Sequence, residues 1–211
     1  MLDIDLGKLD PRDRYKLLCG VVIPRPIAWV TTSNPDGSTN LAPFSFFNVF
    51  GADPATVILG LEHHADGTPK DTTRNIERTG EFVVHMLTPD LNAVMVDSAA
   101  RYAPGASETE ALGLATQPSK MVAPPRLALA PVALECRKTV TLSLSSERCI
   151  LVGEALVISA RDGLIDLDTC YVNWGETLPT ARLFADRYAR LVESDRLTIP
   201  APLAESSTRT E

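Results

Sequence analysis

The segment from residue 25 to residue 47 restricts the fold of this chain more than any other stretch. Its first half is apolar and ends in two adjacent hydroxyl residues, Thr31 and Thr32, before the turn-forming residues 34–37. The chain then returns through residues 39–50, which are again rich in apolar and aromatic side chains. Two such stretches around a short polar turn predict a β-hairpin. Because Pro43 lies within the returning stretch, we expect an interruption there, at an edge or a bulge.

A second polar cluster, residues 69–75, contains Lys70, Asp71 and Thr72 and precedes a predicted short helix over residues 72–79, which Asp71 would cap. A helix begins with unsatisfied N–H groups and the positive end of its dipole, so it attracts anions. Lys70 adds a charge and Thr72 a hydroxyl donor. An ordinary capped surface helix is the alternative interpretation. Together with the hydroxyls of the hairpin, the cluster predicts a phosphate-bearing cofactor held by β-structure.

Length and composition limit the classes of protein to which this chain belongs. With 211 residues and 45% hydrophobic content, it predicts one globular domain, over residues 1–200, and a flexible C-terminal tail over residues 201–211. The formal net charge of −7 argues against a nucleic-acid binder, which needs a basic surface. We find no leader sequence and no apolar run long enough to span a membrane, so we expect a cytoplasmic protein without a membrane partner.

Strand-like patterns outnumber helical ones along the chain. This balance predicts a mainly β protein, a β-barrel with short helical insertions. Residues 99–131 are rich in Ala, Pro and Gly, and such a long connection is expected to cover a site or a partner subunit. The predicted strands are residues 27–32, 39–50, 57–61, 81–87, 132–145 and 149–162. One predicted helix begins after Asp10, and the others cover residues 72–79, 91–98, 107–112 and 182–192.

The usual signatures of protein-based catalysis and of metal binding are absent from this sequence. The four cysteines are scattered, and no histidine stands at zinc spacing around them, so we expect no metal site and mostly buried thiols. His85 lies inside an apolar strand, which favours a hydrogen-bonded structural role. Because no catalytic triad, Walker loop or Gly-x-Gly-x-x-Gly fingerprint occurs, we expect no catalytic protein residue and no Rossmann domain. The absence of the Gly-x-Gly-x-x-Gly fingerprint argues against a Rossmann domain but not against NAD(P)H as a transient substrate.

Seven sequence blocks resemble those of the flavin reductase-like, FMN-binding split-barrel proteins, a family that includes flavoredoxins. The resemblance extends over roughly residues 15–192, and the order and spacing of the blocks make it specific. The blocks are residues 25–32 (Arg-Pro-Ile-Ala-Trp-Val-Thr-Thr), Asp36-Gly37, residues 40–47 (Asn-Leu-Ala-Pro-Phe-Ser-Phe-Phe), Lys70-Asp71-Thr72 with Asn75-Ile76, residues 81–84 (Glu-Phe-Val-Val), the paired late strands around residues 134–136 and 152–154, and the closing pair Arg182 and Tyr188.

The resemblance implies a Greek-key split β-barrel with short helical insertions that forms a homodimer and binds FMN near the subunit interface. It assigns twelve residues to the cofactor site. Thr31, Thr32, Ser45, Lys70 and Thr72 would hold the phosphate, with Asp71 in the same block; the backbone around Asn40, Leu41, Ala42 and Pro43 would line the isoalloxazine edge; and Trp29 and Phe44 would flank the ring or the ribityl chain. Arg182 and Tyr188 are further candidates for the cofactor region or the partner subunit.

The same resemblance implies an oxidoreductase in which NAD(P)H donates a hydride to the flavin. The electrons would then pass to free flavin, a partner oxygenase or another electron carrier. The alternative is a flavoredoxin-like carrier that holds FMN without NAD(P)H activity of its own. A barrel that has lost its flavin is disfavoured by the intact hydroxyl and lysine pattern. The sequence departs from many relatives at His85 and in the loop of residues 62–67.

Overall fold

The computed structural model describes residues 1–199 and contains four α-helices and fourteen strands. The predicted tail, residues 201–211, and the domain boundary at residue 200 lie outside the described residues. Single turns of 3₁₀ helix occur at Leu6–Lys8 and Pro89–Leu91. The helices are α1 (Pro11–Val21), α2 (Asp71–Thr79), α3 (Asn92–Asp97) and α4 (Glu108–Ala111). The strands are β1 (Arg25–Pro26), β2 (Ala28–Ser33), β3 (Thr39–Phe44), β4 (Phe47–Ala52), β5 (Ala55–Glu62), β6 (Glu81–Met86), β7 (Thr116–Gln117), β8 (Arg126–Leu127), β9 (Val132–Ser143), β10 (Arg148–Ala160), β11 (Ile165–Asp166), β12 (Tyr171–Val172), β13 (Ala181–Arg182) and β14 (Tyr188–Ala189).

A seven-stranded antiparallel sheet dominates the molecule, and its strand order is β3-β2-β6-β9-β10-β5-β4. The two edge strands, β3 and β4, are consecutive in the chain and are joined only by Ser45 and Phe46. A sheet whose first and last strands are connected by two residues has to curl until its edges approach each other. The sheet is therefore a barrel with a seam at residues 45–46, and the predicted mainly β fold is confirmed.

The two faces of the sheet bury two separate hydrophobic clusters. Val30, Leu59 and Phe82 belong to the cluster inside the curled sheet. Trp29 and Leu41 belong to a second cluster, which packs against α3 and β8. Since neighbouring strand residues point to opposite faces, the apolar run in β2 supplies both clusters. Within residues 1–199, no helix combines the length and the hydropathy that crossing a membrane requires.

The long connection over residues 99–131 covers the edge strand β3. The Glu108 carboxylate accepts a hydrogen bond from the backbone N–H of Leu41 at 2.7 Å, and the Ser107 hydroxyl donates to the carbonyl of Thr39 at 2.9 Å. Burial raises the pKa of Glu108 above its ordinary value. These contacts satisfy polar groups that an open sheet edge would leave exposed. The segment thus covers an edge strand of its own sheet, whereas its length predicted that it covers a site or a partner subunit.

Three local predictions need correction. Residues 182–192 contain no helix, because residues 181–189 form the hairpin of β13 and β14, with Ala185 at a φ of 56° in its turn. Strand β3 continues through Pro43, which is tolerated because β3 is an edge strand, and the break falls at Ser45. Lys70, and not Asp71, is the N-cap residue of α2, without a side-chain cap hydrogen bond.

His85 is a fully buried, neutral histidine, as its apolar strand predicts. Its Nδ1–H donates to the carbonyl of Trp29 at 2.8 Å, and its Nε2 accepts from the N–H of Leu127 at 2.9 Å. Both ring nitrogens therefore have partners only in the neutral tautomer that carries its proton on Nδ1. Burial, assisted by the charge of Arg126, lowers the pKa of His85 to about 4.

This depressed pKa predicts an acid-sensitive fold. Between the unfolded pKa of about 6.5 and the folded value, only the unfolded chain binds the proton, so stability falls as the pH drops, by up to about 1.4 kcal/mol per pH unit. His85→Asn removes the titrating group, and its free energy of unfolding in urea is expected to vary less with pH than that of the parent between pH 6.5 and 4. If the free energies of unfolding of the two proteins changed equally with pH, His85 would not be the cause of the acid sensitivity.

Candidate functional site

An open cleft of about 240 Å³ lies at the barrel seam, where the two edges of the sheet meet. The linker between β3 and β4 forms one wall, and the end of β5, the start of β10 and the start of α2 form another. Helix α1, the region of α3 and the β13–β14 hairpin close the remaining sides. The lining residues are Tyr15, Ile27, Pro43, Phe44, Ser45, Phe46, Gly60, Glu62, Lys70, Met95, Ala99, Arg148, Arg182 and Tyr188.

Two cations share one carboxylate at one end of this cleft. Lys70 Nζ lies 3.2 Å from Glu62 Oε2, and Arg148 Nη2 lies 2.8 Å from Glu62 Oε1. These side chains are about half exposed, so their charges remain available to a ligand. Strand pairing creates the arrangement, because Arg148 at the start of β10 is the register partner of Glu62 at the end of β5. The result is a positively charged end with one net positive charge.

The start of helix α2 lies at the same end of the cleft. Its N-cap residue, Lys70, makes no side-chain cap hydrogen bond. The carboxylate of Asp71 is engaged elsewhere, because it accepts from the N–H of Gly105 at 2.8 Å and pairs with Arg74. The N–H groups of the first helical turn are therefore not capped by either side chain, a condition that suits an anion.

Aromatic rings form the middle of the cleft. The rings of Tyr15 and Phe46 meet edge to face with centroids 6.2 Å apart, and the Arg148 guanidinium lies 5.7 Å from the first and 5.9 Å from the second. Gly60 permits this packing, because a Cβ there would lie 2.7 Å from the Cβ of Phe46. Burial raises the pKa of the Tyr15 hydroxyl, which stays protonated near neutral pH.

Arg182 and Tyr188 close the far side of the cleft. Arg182 donates to the Tyr188 hydroxyl, and its guanidinium carbon lies 4.7 Å from the centroid of that ring. The sequence named both residues as candidates for the cofactor region, and the structure brings both to the cleft. They line the same cleft as Phe44, the last residue of β3, and Ser45 of the linker.

Of the twelve residues predicted to bind the cofactor, Pro43, Phe44, Ser45 and Lys70 line the cleft. The others lie behind it. A buried network joins three of them: the Asn40 amide donates to the hydroxyls of Thr32 at 3.1 Å and of Thr72 at 2.9 Å. Asn75 extends the network from α2 to Thr32, so these side chains tie the start of α2 to strands β2 and β3.

The remaining predicted residues support the sheet. The Thr31 hydroxyl donates to the carbonyl of Pro125 at 2.7 Å, and the indole N–H of Trp29 donates to Ser98 at 2.9 Å. Trp29 and Leu41 are fully buried in the second hydrophobic cluster, and Ala42 is half-buried on β3. These groups are already paired or packed away from the cleft, whereas Ser45 and Lys70 line it.

Sequence reasoning missed several cleft residues, of which Tyr15, Glu62 and Arg148 matter most for its charge and shape. Tyr15 lies on α1, and Arg148 is the first residue of β10. No local motif marks them, since only the register of β5 with β10 and the docking of α1 bring them together. The one available signal was that Glu62 and Arg148 carry opposite charges and lie next to the ends of two predicted strands.

Comparison with known proteins identifies the origin of this arrangement. The flavin reductase like domain family matches residues 21–175, which is most of the chain. This chain belongs to the flavin reductase-like family. The match contains β1 through β12 and the whole seven-stranded sheet, so it includes the seam and the positively charged end of the cleft. Residues outside it supply Tyr15 from α1 and the β13–β14 hairpin.

Solved structures of flavin reductase-like proteins share the whole architecture. The 2-nitrobenzoate 2-nitroreductase NbaA of Pseudomonas fluorescens is 33% identical, with a TM-score of 0.87 over 96% of this chain and 98% of that chain. Nitrilotriacetate monooxygenase component B of Bacillus cereus is 32% identical, with a TM-score of 0.88 over 93% and 98%. A Shewanella frigidimarina structure assigned as a flavin reductase with a split barrel domain is 19% identical, with a TM-score of 0.80 over 92% and 96%, and shows the shared fold alone. The fold of this chain is a split barrel.

The donor set of the cleft fits a flavin mononucleotide. Lys70, Arg148 and the first turn of α2 offer a phosphate a net positive charge and several hydrogen-bond donors. The aromatic residues Tyr15 and Phe46 and the segment over residues 43–45 suit a flat ring. Charge at one end and aromatic surface beyond it are the two features that the cofactor requires.

Proposed function

We propose that this chain binds FMN in the cleft at the barrel seam and acts as a flavin reductase-like oxidoreductase that takes a hydride from NAD(P)H and delivers electrons to an acceptor. The single observation that carries the proposal is the pairing of a positively charged end with an aromatic wall inside one cleft. Family membership supports the flavin chemistry. The proposal adds the identity of the electron donor and the class of the electron acceptor.

Lys70, Ser45 and the first turn of α2 would hold the phosphate of FMN. The buried network of Thr32, Asn40 and Thr72 fixes this turn against the sheet. When bound, FMN supplies the hydride-accepting chemistry. The protein then needs no nucleophile of its own.

Pro43 and Phe44 would lie along the ring, because these last two residues of β3 line the cleft. Tyr15 and Phe46, which form the aromatic wall, would exclude water from the part of the ring that they contact. Glu62 keeps the side chains of Lys70 and Arg148 directed at one opening, so their charges are oriented before a phosphate arrives. Preorganised charges of this kind lower the cost of ordering the site when the ligand binds.

The acceptor is proposed as a partner oxygenase or another electron carrier. The relative named as a monooxygenase component B favours the former, and a homodimer is part of the same proposal. Two large apolar side chains on the edge strand β4, Val49 and Phe50, are 70% and 76% exposed. Such exposure on a sheet edge beside the linker supports a covering subunit at this edge.

Stopped-flow mixing of the FMN-loaded protein with NADH or NADPH under anaerobic conditions tests the proposal. We expect rapid bleaching of the visible flavin band with at least one of the two donors. A flavin that stays oxidised with both donors but is bleached by a reduced partner protein would contradict the reductase and support the carrier. Protein that stays colourless after incubation with excess FMN and gel filtration would overturn the binding site itself.

A further inference from the structure

A second cavity of about 400 Å³ lies beside the flavin cleft and has no role in the proposal so far. Helix α1 forms one side, and the β13–β14 hairpin forms the other. It shares the lining residues Tyr15, Ser45 and Arg182 with the first cleft, so the two cavities are adjacent. Its lining residues are Arg12, Tyr15, Lys16, Cys19, Arg25, Ser45, Arg182, Phe184 and Ala185.

The second cavity carries a charge opposite in sign to the net charge of the chain. The chain carries a net charge of −7, yet the lining contains four basic residues and no acidic one. Among the described residues, Lys16 forms an ion pair with Asp13 at 2.7 Å, whereas Arg12, Arg25 and Arg182 form no ion pair with a carboxylate. The cavity is therefore positive and only partly neutralised, a condition that favours an anionic ligand.

Arg25 contributes a fixed charge at the floor of the second cavity. It is only 8% exposed, and its terminal nitrogens donate to the carbonyls of Cys19 and Val22, each at 2.7 Å, and of Leu183 at 2.9 Å. These acceptors are neutral, and its Nε has no partner within residues 1–199. A buried guanidinium without a carboxylate partner is costly, so an anion bound nearby would stabilise it.

Arg12 and Lys16 provide the mobile part of the site. They stand four residues apart on α1, and both reach the same cavity together with Tyr15. Both are exposed, so they can adjust to a ligand. The partner of Lys16, Asp13, lies outside the lining, and a pair this exposed is easily displaced by a doubly charged group.

We propose that this second cavity binds the phosphate groups of the nicotinamide dinucleotide donor, with Arg12 and Lys16 as the contacting side chains. The inference rests on the proposed reductase function. With FMN in the first cleft, the donor has to reach the ring from an adjoining space, and this cavity adjoins it through Ser45 and Arg182. Arginine and lysine are the residues that bind phosphate esters and pyrophosphates best.

The test uses the FMN-loaded protein, the double variant Arg12→Ala/Lys16→Ala and the control Arg14→Ala. Arg14 lies on the same helix and carries the same charge, but it does not line the cavity. We expect the double variant to raise the KM of the donor about tenfold, the effect of losing charge-assisted contacts to phosphate, while kcat and FMN affinity stay unchanged. The KM of the parent should also rise more steeply with salt than that of the double variant.

Calorimetric titration with inorganic pyrophosphate gives a readout that does not depend on turnover. We expect the FMN-loaded parent and Arg14→Ala to bind pyrophosphate and the double variant to bind it about tenfold more weakly. Equal binding and equal KM in both variants, or a parent that binds no pyrophosphate, would overturn the cavity assignment. A parent that binds pyrophosphate but is reduced by neither NADH nor NADPH would overturn the assigned donor, and with it the reductase function, while leaving the anion site in place.

Discussion

Replacing Lys70 with alanine is expected to weaken FMN binding by about 1.5–3 kcal/mol, the range for a hydrogen bond to a charged group. Lys70 is the N-cap residue of α2, and its ammonium lies 3.2 Å from Glu62, which also pairs with Arg148. Its loss leaves the Glu62 carboxylate facing the phosphate with only one compensating charge. Fluorescence titration of the apoprotein with FMN measures the effect as a rise in Kd.

Two comparisons separate a phosphate contact from a general loss of folding. Riboflavin lacks the phosphate, so Lys70→Ala should leave its affinity unchanged while the preference of the protein for FMN falls. Lys138→Ala removes a cation that pairs with Glu77 at 2.6 Å and does not line the cleft, and its FMN affinity should equal that of the parent. Equal FMN affinity in Lys70→Ala and the parent would exclude Lys70 from the phosphate site.

Replacing Glu135 with alanine is expected to lower the free energy of unfolding by about 3–5 kcal/mol, as removal of one partner from a buried ion pair does. Glu135 is fully buried on β9. Its carboxylate accepts from the N–H of Lys120 at 2.9 Å and of Met121 at 2.7 Å, and Arg126 Nε lies 3.8 Å away. Alanine would remove the acceptor of both part-buried N–H groups and leave Arg126 without this carboxylate. Since a domain is stable by only about 5–15 kcal/mol, the loss is a large fraction of the total.

Urea unfolding followed by circular dichroism measures this loss, with Glu154→Ala as the matched control. Glu154 lies on the neighbouring strand β10 and is exposed, so its replacement should change the free energy of unfolding by less than about 0.5 kcal/mol. Glu135→Gln keeps the shape but turns an amide donor toward N–H groups, and it should also destabilise. If both Glu135 variants matched the control, the carboxylate would have no anchoring role.

Local patterns in the sequence were sufficient for much of the fold. The turn at residues 34–37 forms with the N–H of Gly37 bonded to the carbonyl of Asn34, and Asp10 caps α1 by accepting from the N–H of Asp13. These features depend on neighbouring residues, so turn and cap chemistry predicts them. The hairpin over residues 181–189 was mistaken for a helix, because its strands are too short to show a two-residue period.

The candidate site was predicted only in part, for a different physical reason. Lys70 and Ser45 were identified because they belong to contiguous blocks. Thr31 and Trp29 belong to the same blocks, but the pleat of β2 and the packing of residues 91–127 direct both into buried contacts. A single sequence shows that a residue lies on a strand, whereas the tertiary contacts decide which face of that strand lines a cleft.

Four features therefore follow from the amino-acid sequence alone: the β-rich class, the hairpin, the position of Lys70 at the start of α2 and the membership of the flavin reductase-like family. The meeting of Tyr15, Glu62, Arg148 and Arg182 at the seam follows instead from the folded arrangement of the sheet. These residues are far apart in the chain, and the curl of the sheet together with the register of β5 against β10 brings them together. Curl and register arise from the simultaneous packing of many strands, which no short segment encodes alone.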